Sequence, residues 1–506
     1  MHIEKIKSPA DLRALDQDQL EELCREIREF LVDAVSRTGG HLGSNLGAVE
    51  LTIAVHRVFE SPRDVILWDT GHQAYVHKLV TGRADMFSSL RQRHGLSGYP
   101  SNTESEHDIV ENSHASTSLS WASGLSAGFD LTGHKHRQVV AVIGDGSMTG
   151  GMAFEALNNL GHYGQRAVII LNDNGRSYAP TVSRLATVMS RVRQSPNYVK
   201  GRQAVVNILD RMPLGEEVKR GLSGAAAAMR EMWEPPAFFE TLGVRYLGPI
   251  DGHDIEALES ALSDASSYED GPIVVHVLTD KGRGYAPAED DEEKHLHDIG
   301  LFDPATGNSS SASGKNFTSE FSNSLLTIAE RRPDVVAITA AMPGSTGLLP
   351  FQQRYPDRFF DTGIAEQHAL TSAAGMARAG LRPFVAIYST FLARGFDQVM
   401  YDIGLHGLPV VICIYRAGVT GPDGASHHGV HDIAMYARVP GMTIFSPSSL
   451  QELPVMMNQA LETNGPVAIR WPRGTADESS VVGQGLSARL VRDGQDVAIL
   501  AAGKML

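Results

Sequence analysis

The chain has 506 residues, of which 42% are hydrophobic, 20% charged and 7% aromatic. This composition is typical of a soluble globular protein with roughly two to four domains, and it excludes a disordered tail protein and a disulfide-stapled miniprotein. The 44 basic and 59 acidic residues give a formal net charge of −15, which argues against nucleic acid or an anionic membrane as a partner.

The N-terminal segment and the cysteines indicate a compartment. The first twenty residues mix both charge signs without an apolar core, so they do not resemble a secretory signal. Cys24 and Cys413 lie far apart and lack metal-binding spacing, which favours a reducing compartment. The longest apolar runs are of strand length and far shorter than a membrane span. These features predict a cytoplasmic protein that does not bind a membrane.

Short β-branched runs alternate with amphipathic helical patterns along the chain. Continuous apolar runs of this length are typical of parallel strands that are buried on both faces. The sequence therefore predicts an α/β fold with mostly parallel sheets flanked by helices. The predicted strands are 139–144, 167–172, 272–279, 335–339, 383–389 and 409–415.

Composition breaks predict the domain organisation. The Gly/Ser-rich stretch at 305–316 contains no core residues, so we interpret it as a linker between a first domain at 1–304 and a second at 317–480. A stretch near 183–236 is rich in Arg, Gly and Met and is interpreted as a helical insertion. Residues 485–506 begin a strand-like run, DVAILAAG, and then stop, which predicts the start of a truncated third α/β domain.

Two polar turns follow neighbouring apolar strands. Gly144 and Gly146 permit a tight turn, Asp145 between them offers a carboxylate, and Asn174 offers an amide oxygen after the next strand. Hard oxygen ligands at adjacent strand ends suit a Mg²⁺ ion that carries phosphate oxygens. A GDG tripeptide alone is more often an ordinary strand-to-helix turn. Its pairing with NDN at 172–174 is what favours a metal site.

The spacing of GDG and NDN resembles the thiamine diphosphate motif. This resemblance implies that Asp145, Asn174 and the backbone carbonyl of Arg176 hold the metal. It also implies that Glu366 hydrogen-bonds the pyrimidine ring of the coenzyme and promotes its imino form, and that Phe391 stacks on that ring. Without the resemblance, a glutamate at this place is usually a helix N-terminal carboxylate stabilised by the helix dipole.

Longer matches favour one family of thiamine diphosphate enzymes. His41 in TGGHLGSNLG and His72 in WDTGHQAY occur in a domain shared with transketolase. The runs GYPSNTESEHD, ENSHASTSLSWASGL, NDNGRSYAPT, GPIDGHD, KGRGYAPAE, IYSTFLARGFDQV and RWPRG are similar to the 1-deoxy-D-xylulose-5-phosphate synthase family, from about residue 25 to 475.

That resemblance implies a reaction and an assembly. A homodimeric transferase with bound thiamine diphosphate and Mg²⁺ would condense pyruvate with D-glyceraldehyde 3-phosphate to 1-deoxy-D-xylulose 5-phosphate and CO₂. The product would serve isoprenoid (terpenoid), thiamine and pyridoxal precursor synthesis.

The family pattern also implies which groups transfer protons, a task that suits imidazole near neutral pH. His297 fits the pattern better than His295, although a solvated loop histidine is an equally good interpretation there. The predicted catalytic residues, besides Glu366, are His41, His72, His297, His427 and Asp423.

Two further sets complete the predicted site. Guanidinium groups bind phosphate through two hydrogen bonds, so the substrate phosphate is assigned to Arg416 and Arg473, with Arg394 and Tyr388 nearby. A surface salt bridge remains the plainer interpretation of Arg394. The predicted coenzyme contacts are His72, His114, Ser116, Gly144, Asp145, Gly146, Ser147, Asn174, Lys281, Glu366 and Phe391.

Two alternatives stay open at this stage. A transketolase shares the metal motif, the glutamate and the early histidines, but it transfers ketol units between sugars and releases no CO₂ from pyruvate. An inactive, truncated paralogue would fold or bind the coenzyme without turnover. The complete set of site residues argues against decay, whereas the incomplete third domain argues for it and predicts aggregation or a weakened dimer.

Overall fold

A computed structural model describes residues 3–111, 113–175, 181, 235–309, 314–475 and 482–505. The chain divides into two compact units, Met1–Ser311 and Ala312–Leu506. This division falls within the predicted linker at 305–316, while the other predicted domain bounds stay predictions. Most of the predicted insertion at 183–236 lies outside the described residues, and so does Arg176.

In the described part of the first unit, four α-helices precede the first strand, and at least one helix separates each later pair of consecutive strands. Helix α2 begins where the Asp16 carboxylate accepts a hydrogen bond from the Gln19 N–H group at 3.0 Å, which satisfies an otherwise unpaired helix donor. The described helices are α1 (Pro9–Arg13), α2 (Gln17–Thr38), α3 (Gly43–Gly47), α4 (Val49–Val58), α5 (Tyr75–Lys78), α6 (Ser118–Leu131), α7 (Gly151–Tyr163), α8 (Pro235–Thr241), α9 (Ile255–Ser266) and α10 (Ala286–Glu289). The described strands are β1 (Val65–Trp68), β2 (Val139–Gly144), β3 (Val168–Asp173), β4 (Arg245–Asp251) and β5 (Ile273–Leu278).

The five strands of the first unit form a parallel sheet in the order β1-β2-β3-β5-β4. Alternate residues of β2 face two separate cores: Ala141 and Ile143 pack with residues of α6 and α7, and Val140 and Val142 pack with residues of α4 and α9. Both faces of the sheet are therefore covered, as the apolar runs predict.

The second unit has the same kind of architecture. Its described helices are α11 (Phe317–Arg331), α12 (Leu349–Arg354), α13 (Glu366–Arg378), α14 (Ser389–Leu392), α15 (Phe396–Gln398), α16 (Asp432–Tyr436) and α17 (Glu452–Glu462). Its described strands are β6 (Val335–Thr339), β7 (Phe359–Asp361), β8 (Arg382–Tyr388), β9 (Val411–Tyr415), β10 (Thr443–Phe445) and β11 (Val467–Arg470). They form a second parallel sheet in the order β10-β11-β9-β8-β6-β7. The prediction of an α/β fold with mostly parallel sheets is confirmed.

The predicted strand in DVAILAAG is wrong for this structure. Residues 496–503 carry no strand, and Val497, Ile499 and Leu500 are exposed. An apolar run becomes a strand only when a neighbouring strand satisfies its backbone groups, and no described strand pairs with this one. The assignment of 485–506 to a third domain stays a prediction.

Among the described helices, none combines the length with the apolar character that a membrane span requires.

Candidate functional site

In the first unit, three predicted site residues and one further carboxylate, Asp69, follow the carboxyl ends of four adjacent strands. Asp69 follows β1, Asp145 follows β2, Asn174 follows β3, and Lys281 lies three residues after β5. Because β1, β2, β3 and β5 are parallel neighbours, their carboxyl ends lie along the same edge of the sheet. Open parallel sheets bind their ligands at this edge.

The predicted metal ligands differ in their surroundings. Asp145 is only 4% exposed, and one of its carboxylate oxygens accepts a hydrogen bond from the Thr181 hydroxyl at 2.6 Å. A Cβ atom at Gly144 would have no neighbour within 4 Å, so the backbone here borders open space. Asn174 is half-buried. The carboxylate and the amide provide the hard oxygens that Mg²⁺ prefers, and the open space beside Gly144 leaves room for a phosphate.

The first two residues of NDN are bound to protein groups. The Asn172 amide donates to Gln73 at 2.9 Å, and its oxygen accepts from the Thr279 hydroxyl at 2.6 Å. Asp173 accepts from the backbone N–H of Gly175 at 3.0 Å, and its other oxygen lies 3.0 Å from Nε2 of His276. Asn172 and Asp173 therefore build the turn that presents Asn174.

A second turn carries Ser116. The Asp69 carboxylate accepts the backbone N–H groups of Ser116 and Ser118 at 2.9 and 3.1 Å, and the Ser116 hydroxyl donates to the Ser147 carbonyl at 2.7 Å. Ser116 has a φ of 75°, a strained conformation that is most common at functional sites. His114 lies half-buried in the same turn. Sequence reasoning missed Asp69, although a polar residue directly after the apolar run VILW was a usable signal.

Three predicted histidines lie together in this unit. The ring centroids of His41 and His72 are 5.5 Å apart, those of His41 and His297 5.7 Å, and those of His72 and His297 5.0 Å. The buried Asn45 amide donates to the backbone carbonyls of both His41 and His72 at 2.8 Å. The structure thus brings His297 to the cluster, whereas the ring of His295 lies 3.0 Å from the Ala288 carbonyl.

The histidine cluster favours neutral imidazoles. Burial lowers the pKa of His72 well below its ordinary value, and the nearby His41 and Lys281 lower it further. Burial likewise lowers the pKa of His297, with Lys281 and His72 contributing. Both rings are therefore neutral at pH 7, and each can donate a hydrogen bond from one nitrogen and accept a proton at the other.

In the second unit, Glu366 is the first residue of α13 and is only 2% exposed. Burial raises the pKa of its carboxyl group, and the Arg394 guanidinium, 3.5 Å away, opposes that rise. In this structure Arg394 lies against Glu366, and its predicted place near the substrate phosphate stays a prediction. A buried carboxyl with a raised pKa is suited to hydrogen-bond a ring nitrogen and to exchange a proton with it.

An aromatic platform lies next to the predicted phosphate residues. The rings of Tyr388 and Phe391 are stacked with centroids 5.6 Å apart, and His427 contacts Phe391 edge to face at 5.4 Å. The Arg416 guanidinium lies over the Tyr388 ring at 4.2 Å. This stacking fixes the plane of the guanidinium group.

Asp423 joins the two predicted phosphate arginines. One carboxylate oxygen of Asp423 accepts hydrogen bonds from Arg416 and Arg473, both at 2.7 Å. Arg416 also has a φ of 53°, the left-handed region that ordinary residues avoid. The predicted catalytic role of Asp423 stays a prediction, and its observed contacts are those of a residue that holds the arginine pair.

Two family profiles cover most of the chain. The profile described as 1-deoxy-D-xylulose-5-phosphate synthase matches residues 3–279, and that of the transketolase pyrimidine-binding domain matches residues 314–477. The chain belongs to the 1-deoxy-D-xylulose-5-phosphate synthase family.

Named members of the synthase family are similar over nearly the whole chain. A 1-deoxy-D-xylulose-5-phosphate synthase of Mycolicibacterium paratuberculosis is 53% identical over 478 residues, which are 94% of this chain and 74% of that protein. The synthase of Mycolicibacterium gilvum is 51% identical over 505 residues, 99% of this chain and 78% of that protein. A crystal structure of transketolase from Campylobacter jejuni is 17% identical, covers 90% of this chain and 78% of its own, and has a TM-score of 0.41.

Membership of the synthase family implies thiamine diphosphate with Mg²⁺, and the residues fit both groups. At the sheet edge of the first unit, Asp145 and Asn174 supply hard oxygens beside the open backbone of Gly144. Among the described residues, no three His, Cys, Asp or Glu side chains form a metal cluster of their own. The predicted set of one carboxylate, one amide and the carbonyl of Arg176, which lies outside the described residues, would leave positions for diphosphate oxygens, as Mg²⁺ prefers. In the second unit, the buried Glu366 fits a coenzyme ring nitrogen.

Proposed function

We propose that the chain catalyses the condensation of pyruvate with D-glyceraldehyde 3-phosphate to 1-deoxy-D-xylulose 5-phosphate and CO₂. Pyruvate loses its carboxyl carbon as CO₂, and its remaining two carbons join the three of the aldehyde, which gives the five-carbon product. The observation that carries this proposal is the 51–53% identity to named synthases over 94–99% of the chain.

The first unit is proposed to hold the metal and the diphosphate. Asp145 and Asn174 would bind Mg²⁺, together with the carbonyl of Arg176, and Ser116, Ser147 and Lys281 would bind the diphosphate. When bound, thiamine diphosphate supplies the nucleophilic carbon and the electron sink that decarboxylation of a 2-oxo acid requires.

The histidine cluster of the first unit is proposed to transfer protons. His41 and His297 are buried and His72 is half-buried beside them, and at least His72 and His297 are neutral at pH 7. A neutral imidazole can take the proton from a hydroxyl group of the substrate and can return a proton to a developing alkoxide.

The second unit is proposed to activate the coenzyme and to bind the aldehyde phosphate. The buried carboxyl of Glu366 would hydrogen-bond a coenzyme ring nitrogen, and the Phe391 ring would stack on that ring. Arg416 and Arg473 form a cationic pair that is already held together by one carboxylate oxygen of Asp423. A phosphate offers the same oxygen chemistry with more charge, so the pair is suited to bind it.

A direct assay tests the proposed reaction. The purified chain is incubated with [1-¹⁴C]pyruvate, thiamine diphosphate and Mg²⁺, and ¹⁴CO₂ and 1-deoxy-D-xylulose 5-phosphate are measured with and without glyceraldehyde 3-phosphate. We expect both products to depend on the aldehyde. Ketol transfer between sugar phosphates without CO₂ release would identify a transketolase instead.

A second experiment tests the proposed metal ligands. Asp145→Ala and Asn174→Ala should abolish Mg²⁺-dependent binding of thiamine diphosphate, because either change leaves the metal with an incomplete octahedron. Asp130→Ala, which removes an exposed carboxylate on α6, is the matched control and should bind normally. Near-wild-type coenzyme affinity in both site variants would contradict the metal assignment.

We propose a homodimer. On α6, Trp121 is 48% exposed, and Gly124 and Gly128 lie three and seven residues further along, so all three share one face of the helix. A Cβ atom at either glycine would have no neighbour within 4 Å, which leaves room for a second helix to approach closely. Light scattering should give twice the chain mass, and Gly128→Trp should reduce it to the chain mass. An unchanged mass would show that α6 is not in the interface.

We also propose a reducing compartment, such as the cytoplasm. Cys24 and Cys413 are buried free thiols rather than disulfide partners. Buried thiols of this kind are typical of proteins that stay in a reducing environment.

A further inference from the structure

A chain of three buried polar side chains leads from β4 to the NDN turn. The Tyr246 hydroxyl on β4 lies 2.7 Å from Nδ1 of His276 on β5, and Nε2 of His276 lies 3.0 Å from Asp173 at the end of β3. Tyr246, His276 and Asp173 are 5%, 0% and 3% exposed. None of these side chains belongs to the predicted site, so the sequence motif leaves the middle residue of NDN without a function.

The backbone of β4 is shaped to accommodate His276. The strand register shifts between Leu247 and Ile250, and the residue after Leu247 is Gly248, with a φ of 129°. A Cβ atom at Gly248 would lie 2.6 Å from the His276 carbonyl oxygen and 3.0 Å from its Cβ. Only glycine allows β4 to pass this close to His276.

The hydrogen-bond partners fix the tautomer of His276. A carboxylate can only accept, so Nε2 of His276 carries the proton and donates it to Asp173. Nδ1 is then an acceptor, and the Tyr246 hydroxyl donates to it. The other oxygen of Asp173 accepts the backbone N–H of Gly175, so the oriented carboxylate fixes the two residues that flank Asn174.

We infer that Tyr246 and His276 are positioning residues of the metal site. They orient Asp173, and Asp173 holds the turn that presents Asn174 to the metal. Outer partners of this kind contribute to metal affinity because they fix the direction of a ligand before the metal binds. This inference rests on the proposed metal site at Asp145 and Asn174.

Three variants separate orientation from simple packing. His276→Gln keeps an N–H donor near the position of Nε2, whereas His276→Asn keeps an amide near Nδ1 that is too short to reach Asp173. Tyr246→Phe removes only the hydroxyl that fixes the tautomer. Tyr415→Phe is the matched control, because Tyr415 is also fully buried and donates its hydroxyl to a carbonyl at 2.6 Å, but it lies in the second unit.

Mn²⁺ is the probe, titrated into each purified full chain with thiamine diphosphate and followed by electron paramagnetic resonance. We expect His276→Asn to weaken Mn²⁺ binding about 10- to 100-fold, the usual effect of losing an outer-shell partner. His276→Gln should restore most of that affinity, Tyr246→Phe should lie between the two, and Tyr415→Phe should bind like the wild type.

Equal weakening in His276→Gln and His276→Asn would overturn the inference, since packing alone would then explain both. Wild-type affinity in His276→Asn and Tyr246→Phe would also overturn it. If His276→Asn does not fold, the Mn²⁺ affinities of Tyr246→Phe and Tyr415→Phe are compared. Weaker binding by Tyr246→Phe supports the inference, and equal binding overturns it. The Mn²⁺ titration contains no substrate and is therefore independent of the proposed reaction. A chain that binds Mn²⁺ normally but forms no product in the separate [1-¹⁴C]pyruvate assay would count against the proposed reaction and not against this role.

Discussion

Replacement of Glu50 by Gln should reveal how strongly one buried ion pair stabilises the first unit. Glu50 on α4 is 7% exposed, and its two oxygens accept from the Arg28 guanidinium at 2.6 and 2.7 Å. Nδ1 of His253 lies 3.0 Å from the same carboxylate, and Nε2 of His253 accepts the backbone N–H of Asp280, next to Lys281. These contacts therefore link helices α2 and α4 to the loop that carries Lys281, a proposed diphosphate ligand.

The pKa of Glu50 gives the magnitude. Burial acts to raise it, but the hydrogen bonds from His253 and Arg28 outweigh burial and lower the pKa from its ordinary 4.5 to about 2. A difference of about 2.5 pKa units at about 1.4 kcal/mol each corresponds to roughly 3 kcal/mol of folding free energy. Because the folded-state pKa is the lower one, this contribution is fully present above pH 4.5 and is lost as the pH falls from 4.5 to about 2.

Urea unfolding measured across pH tests this expectation. Hydrogen exchange and mass spectrometry of peptides from 139–173 report on the first unit alone. At pH 7, Glu50→Gln should lower its unfolding free energy by about 3 kcal/mol, and the difference should shrink as the pH falls from 4.5 towards 3. Glu60→Gln, whose ion pair with Arg63 is more than half exposed, should change it by less than about 1 kcal/mol. A difference that stays the same at pH 7 and pH 3 would refute the reasoning.

Three further predictions concern the proposed site. Glu366→Gln should still bind thiamine diphosphate, but the proton on the thiazolium ring of the coenzyme should exchange with solvent more slowly, because Gln cannot promote the imino form. Normal exchange would contradict the role of Glu366. Burial raises the pKa of Glu366. The stabilising contribution of its carboxyl group is therefore present below pH 4.5 and is lost as the pH rises through the folded-state pKa. The thermal midpoint of Glu366→Gln should therefore rise relative to that of the wild type as the pH increases. Arg416→Ala or Arg473→Ala should raise KM for glyceraldehyde 3-phosphate about 10- to 100-fold, since a charged hydrogen bond contributes about 1.5–3 kcal/mol. KM for pyruvate should stay nearly unchanged. An equal effect on both substrates would mean that the arginines are structural. Gly43→Ala should lower the rate of product formation at least about tenfold, because its Cβ atom would lie 1.9 Å from the His295 carbonyl and displace the segment of His297. Gly375→Ala, at an exposed position of α13 where the added Cβ meets no atom within 4 Å, is its control.

Of the described strands, the sequence predicted six of the seven inner ones and none of the four at the sheet edges. The six predicted strands correspond to β2, β3, β5, β6, β8 and β9, which all have a neighbour on each side. Such strands are buried on both faces and therefore form long apolar runs. The edge strands β1, β7 and β10 have only three or four residues, and β4 carries polar residues, so no long apolar run marks them. The inner strand β11 was missed because it has only four residues.

The predicted site residues came from the family pattern. The contacts that support these residues could not be predicted from the sequence. Motifs named Asp145, Asn174 and Glu366, because the family pattern assigns coenzyme and metal contacts to these positions. Asn45 and His276 were not predicted, since a buried amide or imidazole between two chain segments leaves no local pattern. Their partners lie up to 103 residues away along the chain, as for His276 and Asp173. Only the folded sheet brings such pairs together.

The strand order of the first sheet has a consequence for synthesis on the ribosome. β5 inserts between β3 and β4, so the outer edge of β3 gains its partner only when Ile273 has emerged, about 100 residues after Asp173. At about 5–20 residues per second, that edge stays open for about 5–20 s. An unpaired apolar strand is a template for intermolecular association during that interval. We therefore expect the yield of soluble chain to increase when translation between β3 and β5 is accelerated by synonymous codons.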